Sequence, residues 1–292
     1  MPTALVFPGQ GSQRPGMGRP WAATAGWALV DEASQALGRD LTALLLEADA
    51  ETLRATREAQ LATFLTSLVA WRALPPDLDV VAVAGHSLGE LTALVAAGVL
   101  TFADGLHLVA ERGEAMQAAA DARPGTMAAV LGLDWESAVE VLNRCDDAWP
   151  ANDNAPGHVV VSGTAEGVAT AGEVLKTEGA RRVLPLPVGG AFHTPLMEPA
   201  RDRLDKALAH VRYAPAVLPV YANTTAAPYD DDVAGALSRQ LTAPVRWRAS
   251  LLALPAVDRV VEVGAGGVLT GLVKRTLPGV RAVSFDGPEV VL

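Results

Sequence analysis

The chain has 292 residues and a formal net charge of −10; half of its residues are hydrophobic, and only 5% are aromatic. This length allows one large domain, or a domain with a smaller insert, whose Ala-, Leu- and Val-rich core suits helices packed on a sheet. The negative charge argues against nucleic acid binding through the overall field of the protein. The single cysteine, Cys145, excludes an internal disulfide.

The N-terminal residues lack the basic start and the long apolar run that are typical of a signal peptide. The most apolar stretch, residues 80–100, is interrupted by His86, Ser87, Gly89 and Glu90, which makes it too polar for a membrane span. We therefore expect a cytoplasmic protein that does not enter the membrane.

The first half of the chain predicts buried strands alternating with helices. Residues 3–7 and 80–84 are short, wholly apolar runs, as in a parallel sheet that helices cover on both faces. Apolar residues recur at helical spacing in the segments between and after these strands. The predicted helices cover residues 21–48, 52–74, 88–98 and 101–120.

Residues 126–188 repeat a strand–helix–strand order twice, which is typical of a ferredoxin-like fold. The strands are predicted at 127–133, 149–152, 158–162 and 182–188, and the helices at 135–144 and 166–178. We interpret residues 126–188 as a small ferredoxin-like subdomain inserted in an α/β subdomain formed by residues 1–125 and 189–292. Two further strands of the larger subdomain are predicted at 217–222 and 258–263.

Ser87 is the strongest candidate nucleophile. It is the centre of a G-x-S-x-G motif, Gly85 to Gly89, that follows an apolar strand and precedes a helix. At such a turn the serine hydroxyl is exposed at the edge of the sheet, and the N–H of Leu88 lies at a helix N-terminus, where it can stabilise an oxyanion. A serine also needs a base, and His193, in a loop flanked by glycines and a proline, is the best placed of five histidines.

Five motifs in this order resemble the malonyl-CoA:acyl-carrier-protein transacylases of fatty-acid and polyketide synthesis, over residues 7–274. They are Phe7-Pro-Gly-Gln-Gly-Ser-Gln13, Gly85-His-Ser-Leu-Gly-Glu90, Glu111-Arg-Gly113 with Met116, Ala191-Phe-His-Thr-Pro-Leu-Met197 and Glu262-Val-Gly264. The resemblance implies an α/β class fold: an α/β-hydrolase-like large subdomain with a ferredoxin-like insert.

The resemblance also implies the roles of the catalytic residues. Ser87 is the expected nucleophile and His193 the general base, with the backbone N–H groups of Gln10 and Leu88 as the oxyanion hole. A backbone carbonyl at Gln240, rather than a carboxylate, is expected to orient His193. The family needs no metal and no resident cofactor, because the phosphopantetheine arm belongs to the carrier protein.

Arg112 indicates the substrate, because an arginine in an otherwise apolar pocket requires a partner, which a malonyl carboxylate supplies. By resemblance, four further residues are expected to bind substrate: Met116, Phe192, Asn152 and Gln60. Phe192 resembles the malonyl-selecting version of the motif. The family often has Gln-Pro-Ala where this chain has Gln60-Leu-Ala62, and Gly-Pro where it has Gly264-Ala265.

An acidic enzyme whose carrier-protein partner is also acidic needs a basic docking site. The segment 233–257 contains no acidic residue, and the candidates for docking are Arg239, Arg246, Arg248, Lys274 and Arg275. Three alternatives stay open from the sequence: the transferase of a malonate decarboxylase system, an acyl-thioesterase or editing hydrolase, and a non-catalytic carrier-binding subunit.

Overall fold

Two separate sheets organise the chain. The computed structural model describes all 292 residues. Its strands are β1 Thr3–Phe7, β2 Val80–Gly85, β3 Thr126–Leu131, β4 Ala148–Ala155, β5 His158–Gly163, β6 Arg182–Pro185, β7 Val220–Tyr221, β8 Arg259–Val263 and β9 Arg281–Phe285. Its α-helices are α1 Ala28–Leu37, α2 Leu41–Leu46, α3 Thr56–Arg72, α4 Gly89–Ala96, α5 Phe102–Ala122, α6 Trp135–Leu142, α7 Ala165–Thr177, α8 Glu198–Leu208, α9 Val233–Gln240, α10 Trp247–Ala253 and α11 Val268–Thr276. The predicted α/β class is confirmed.

The larger sheet has the strand order β7-β2-β1-β8-β9, and all of its pairs are parallel. Alternate residues of β1 belong to different hydrophobic clusters: Leu5 and Phe7 to one, Ala4 and Val6 to the other. Helices α3, α4 and α5 contribute to the first cluster, and α10 and α11 to the second. Because helices cover both faces, β2 and the residues of β1 after Thr3 are apolar.

The smaller sheet is antiparallel and has the order β4-β5-β3-β6. Residues such as Val130 and Val159 on one of its faces pack with α6 and α7 in a separate hydrophobic cluster. Residues of the opposite face, including Met127, Ala129 and Val160, line a cavity that also contains Ser87. The candidate site therefore lies where the two sheets face each other.

Two predicted elements differ most from the structure, and others differ by a few residues at their ends. The helix predicted over 21–48 is divided into two short 3-10 turns and helices α1 and α2, because Gly38 ends α1 in a left-handed conformation (φ +61°) and the Asp40 side chain caps α2. The strand predicted over 217–222 is reduced to Val220–Tyr221. None of the helices has the length and hydrophobicity that crossing a bilayer requires.

Candidate active site

Ser87 lies in a strained turn between β2 and α4. Its φ of +52° is in the left-handed region, which a residue with a side chain rarely adopts and which is frequent at functional sites. The turn is tight enough to exclude side chains on both sides. A Cβ on Gly85 would lie 1.9 Å from the Gly89 carbonyl group, and one on Gly89 would lie 2.0 Å from the Phe7 oxygen. Both glycines are thus required sterically.

His193 contacts Ser87 directly. The ring Nε2 lies 2.8 Å from Ser87 Oγ, and the ring Nδ1 lies 2.8 Å from the backbone oxygen of Gln240. Since a carbonyl oxygen only accepts, Nδ1 carries the proton and Nε2 is left to accept from the serine hydroxyl. Burial, and then the nearby charge of Arg112, lower the pKa of His193 from 6.5 to about 3. The imidazole is therefore neutral in the resting site.

Arg112, on α5, is the second group that contacts the serine hydroxyl. Its side chain is 2% exposed, and Nη2 donates to Ser87 Oγ at 3.0 Å. The guanidinium also donates to Gln240 Oε1 at 2.9 Å and to Gln60 Oε1 at 2.8 Å. All of these acceptors are neutral, and burial lowers the pKa of Arg112 to about 10. The neighbouring carboxylates on α5 are engaged elsewhere, since Glu111 pairs with Arg203.

Two backbone N–H groups beside Ser87 are free to donate. Neither Gln10 N–H nor Leu88 N–H makes a hydrogen bond within the protein. Leu88 immediately precedes α4, so its N–H belongs to the unpaired N-terminal end of a helix. Gln10 lines the same cavity as Ser87.

The cavity around Ser87 has a volume of about 430 Å³. Its lining includes Met116, Phe192 and Asn152. Gln60 differs from the expectation that it lines the cavity: it is fully buried behind Arg112, where it accepts from the guanidinium and donates to Met116 Sδ. No group of three or more His, Cys, Asp or Glu side chains in the structure could hold a metal ion.

Two side chains that the sequence motifs did not single out as functional hold the turn. Asn223 accepts from Ser87 N–H and donates to the Gly85 oxygen, each at 2.7 Å. Glu90, 1% exposed, accepts from Tyr229 Oη, Gln240 Nε2 and the N–H of Asn223. Burial raises the pKa of Glu90 to about 7.

Each of these residues carries a sequence signal. Asn223 follows β7, which neighbours β2, and side chains at the carboxyl ends of adjacent parallel strands lie together. Glu90 is the only charged residue of the otherwise apolar helix α4.

A third missed residue, Asn154, lines the cavity, and its Oδ1 accepts from Nε2 of the partly buried His86 at 2.9 Å. It follows Asn152 by two residues on β4, and alternate residues of a strand share a face. The predicted strand ended at Asn152, before this position.

The five predicted docking residues divide into two groups. Arg248 is paired with Asp153 and Glu136, and Arg239 with Asp232. The remaining three are exposed and form no ion pair; they are Arg246, Lys274 and Arg275. A tertiary contact thus neutralises Arg248, and a local contact with the N-cap residue of α9 neutralises Arg239.

Comparison with known proteins identifies the family. The acyl transferase domain model matches residues 4–285. The chain is 40% identical to the malonyl CoA-acyl carrier protein transacylase of Bacillus subtilis, over 99% of this chain and 94% of that protein.

Solved structures agree with this match. The malonyl-CoA:acyl carrier protein transacylase of Xanthomonas oryzae superposes with a TM-score of 0.93 at 39% identity, covering 98% of this chain and 95% of that one. A malonyl-transacylase in complex with its type II PKS acyl-carrier protein superposes with a TM-score of 0.90 at 36% identity, covering 98% and 96%. This chain therefore belongs to the acyl transferase domain family, among its malonyl-CoA:acyl-carrier-protein transacylases.

Proposed function

We propose that this protein carries a malonyl group from coenzyme A to the phosphopantetheine thiol of an acyl-carrier protein, through an ester on Ser87. The observation that carries this proposal is the position of Arg112. It is a buried cation whose hydrogen-bond acceptors are all neutral, with the Glu90 carboxyl reached only through Gln240, and it lies 3.0 Å from the candidate nucleophile. A buried charge is expensive to keep unpaired, and an acyl group with its own carboxylate supplies the missing partner.

The first half of the reaction loads the enzyme. Ser87 Oγ attacks the thioester carbonyl of malonyl-CoA while its proton passes to His193 Nε2. The tetrahedral intermediate then collapses, the C–S bond breaks, and the proton on His193 passes to the departing CoA sulfur. The Gln240 carbonyl keeps the imidazole in the required tautomer and holds it without adding a full negative charge.

Gln10 and Leu88 are proposed to form the oxyanion hole. Both backbone N–H groups lack a partner in the protein, and each lies next to the serine or in its cavity. Two donors aimed at the oxygen that becomes negative stabilise the transition state more than the substrate.

The acyl pocket is proposed to combine one cation with an apolar lining. Arg112 binds the malonyl carboxylate, and Met116 and Phe192 contact the rest of the acyl chain beside it. Asn152, 4% exposed on β4, contributes a polar edge to the same cavity. Gln60 serves the substrate indirectly, by holding Arg112 from behind.

The second half of the reaction requires the carrier protein. Its thiol attacks the Ser87 ester, and Ser87 recovers its proton through His193. We place the docking surface at Lys274 and Arg275, with Arg246, rather than at the ion-paired Arg239 and Arg248. Helix α11 supports this choice, because Val268, Leu269 and Leu272 line the cavity and the two basic residues lie at its far end.

We also propose the subdomain division made from the sequence: residues 1–125 and 189–292 as an α/β-hydrolase-like unit and residues 126–188 as a ferredoxin-like insert. One hydrophobic cluster drawn wholly from residues 128–183 supports a separate small unit. Its strand and helix order, β3-α6-β4-β5-α7-β6, with sheet order β4-β5-β3-β6, also supports the ferredoxin-like description.

The experiment that tests the function is intact mass spectrometry after mixing the protein with malonyl-CoA or acetyl-CoA, followed by an acyl-carrier protein. We expect a malonyl adduct that is absent in Ser87→Ala and is transferred to the carrier. Preferred acetyl loading would contradict the substrate. Steady release of free malonate without a carrier would instead indicate an acyl-thioesterase.

A further inference from the structure

Glu90 is a buried carboxylate that takes no part in the proposed steps of acyl transfer. It lies in the first turn of α4, three residues after Ser87, and is 1% exposed. Its three hydrogen-bond donors, Tyr229 Oη, Asn223 N–H and Gln240 Nε2, are all neutral. A buried acidic side chain is unfavourable without a compensating charge, and the charge that acts on Glu90 is that of Arg112.

The side-chain amide of Gln240 joins Glu90 to Arg112. Its Nε2 donates to Glu90 Oε2 and to the backbone oxygen of Ser87, and its Oε1 accepts from Arg112 Nη2. Above its pKa of about 7, Glu90 is a carboxylate, which only accepts, whereas a guanidinium only donates. A flipped amide would therefore set donor against donor at Arg112 and acceptor against acceptor at Glu90.

We propose that Glu90 is a positioning residue for malonyl loading: through the amide of Gln240, its carboxylate holds Arg112 in the orientation that receives the malonyl carboxylate. This inference rests on the proposed function, in which Arg112 binds that carboxylate. Gln240 then serves the site twice. Its backbone oxygen orients His193, and its side chain transmits the position of Glu90 to Arg112.

The Glu90→Gln variant isolates this effect, because it keeps the shape and removes one acceptor. Glu90 Oε1 already accepts from two groups, Tyr229 Oη and Asn223 N–H. The glutamine introduced at position 90 is expected to keep its oxygen towards Tyr229 Oη and Asn223 N–H and to turn its NH₂ group to Gln240. The Gln240 amide must then flip, and Arg112 loses an acceptor and its fixed direction.

The test is single-turnover acyl loading of the purified full chain with malonyl-CoA and with acetyl-CoA, which has no carboxylate for Arg112. Glu90→Gln is expected to slow malonyl loading by about tenfold or more relative to acetyl loading, the effect of losing a hydrogen bond to a charged group. In an Arg112→Ala background, Glu90→Gln is expected to have no further effect on malonyl loading, because the two residues act as a unit.

Two control variants separate positioning from loss of structure. Tyr229→Phe removes a different donor to the same carboxylate, and Glu262→Gln alters another fully buried carboxylate, which caps α11. Neither is expected to change the ratio of malonyl to acetyl loading. Gln240→Met removes the amide and keeps the backbone oxygen, but it also removes the donor to the Ser87 backbone oxygen, so both loading rates are expected to fall. It is expected to lower the ratio of malonyl to acetyl loading as Glu90→Gln does, and that ratio serves as the test if Glu90→Gln does not fold.

An equal loss with both CoA esters, or additive effects of Glu90→Gln and Arg112→Ala, would overturn the inference and leave Glu90 a structural residue. That result differs from failure of the proposed function, in which Arg112→Ala itself would not distinguish malonyl from acetyl loading. The latter outcome would overturn both.

Discussion

Arg112 Nη2 donates to Ser87 Oγ over 3.0 Å, so the cation that is proposed to select the acyl group touches the atom that is proposed to accept it. The group that selects the substrate and the atom that attacks it are thus joined by one hydrogen bond. The acyl chain that fits must place its carboxylate beside the reacting carbonyl, as a malonyl group does.

Replacing Arg112 by Ala is expected to weaken malonyl loading by about 2–5 kcal/mol, as when one partner is removed from a buried charged pair. Acetyl loading should change much less, since it does not use this contact. Rates of adduct formation by mass spectrometry measure both. Arg57→Ala, which removes a half-exposed arginine on α3, is the matched control and should alter neither rate.

The low pKa of His193 predicts an unusual pH dependence. Burial is the main cause that lowers the pKa of His193 from 6.5 to about 3, and the charge of Arg112 is the second. The imidazole therefore stays neutral as the pH falls, and it gains a proton only near pH 3. Modification of Ser87 by phenylmethylsulfonyl fluoride, a neutral reagent, should therefore be nearly constant between about pH 8 and 5 in the Glu90→Gln variant, which lacks the buried carboxyl whose pKa of about 7 lies within this range. A step in rate near pH 6.5 would contradict this prediction.

Asn223→Ala is expected to loosen the turn at Ser87. The change leaves the N–H of Ser87 and the carbonyl of Gly85 without partners in a buried place, and each such loss costs about 1–3 kcal/mol. Urea unfolding should show the lower stability, and acyl loading should slow with both malonyl- and acetyl-CoA. Asn143→Ala, at an exposed helix end, should leave both measurements unchanged.

Two glycine-to-alanine changes should shift stability in opposite directions. In Gly89→Ala the new Cβ would meet the Phe7 oxygen at 2.0 Å, which forces β1 and α4 apart. In Gly271→Ala the new Cβ meets nothing within 4 Å on the exposed face of α11. The second change should stabilise the protein by up to about 1 kcal/mol, since alanine is the better helix former. Thermal unfolding measures both, and a stable Gly89→Ala variant would refute the steric argument.

Charge reversal tests the docking surface. Lys274→Glu with Arg275→Glu is expected to raise KM for the carrier protein about tenfold, mainly through slower association that depends on salt, and to leave malonyl loading unchanged. Arg239→Glu makes the same kind of change at a residue already paired with Asp232 and should have a smaller effect. Equal effects of both variants on carrier KM would place the docking surface elsewhere.

The basic residues show where a linear pattern is insufficient. The absence of acidic residues from 233–257 suggested that Arg239, Arg246 and Arg248 were equally available. In the structure, Arg248 meets Asp153 and Glu136, which lie 95 and 112 residues away in the chain. Such pairing depends on how the small sheet packs against α10, and no local pattern contains it.

The sequence by itself determined the features that depend on neighbours in the chain, namely the apolar strands, the amphipathic helices and the Gly85–Gly89 turn. Tight packing permits only glycine at the two ends of that turn, two residues before and two residues after the serine. Tertiary structure alone decided the contacts across the chain. Ser87 and His193 are 106 residues apart, and Ser87 and Gln240 are 153 apart. The link from Glu90 through Gln240 to Arg112 joins three helices, and it exists because hydrogen bonds depend on distances and directions that only the packing of α4, α5 and α9 sets.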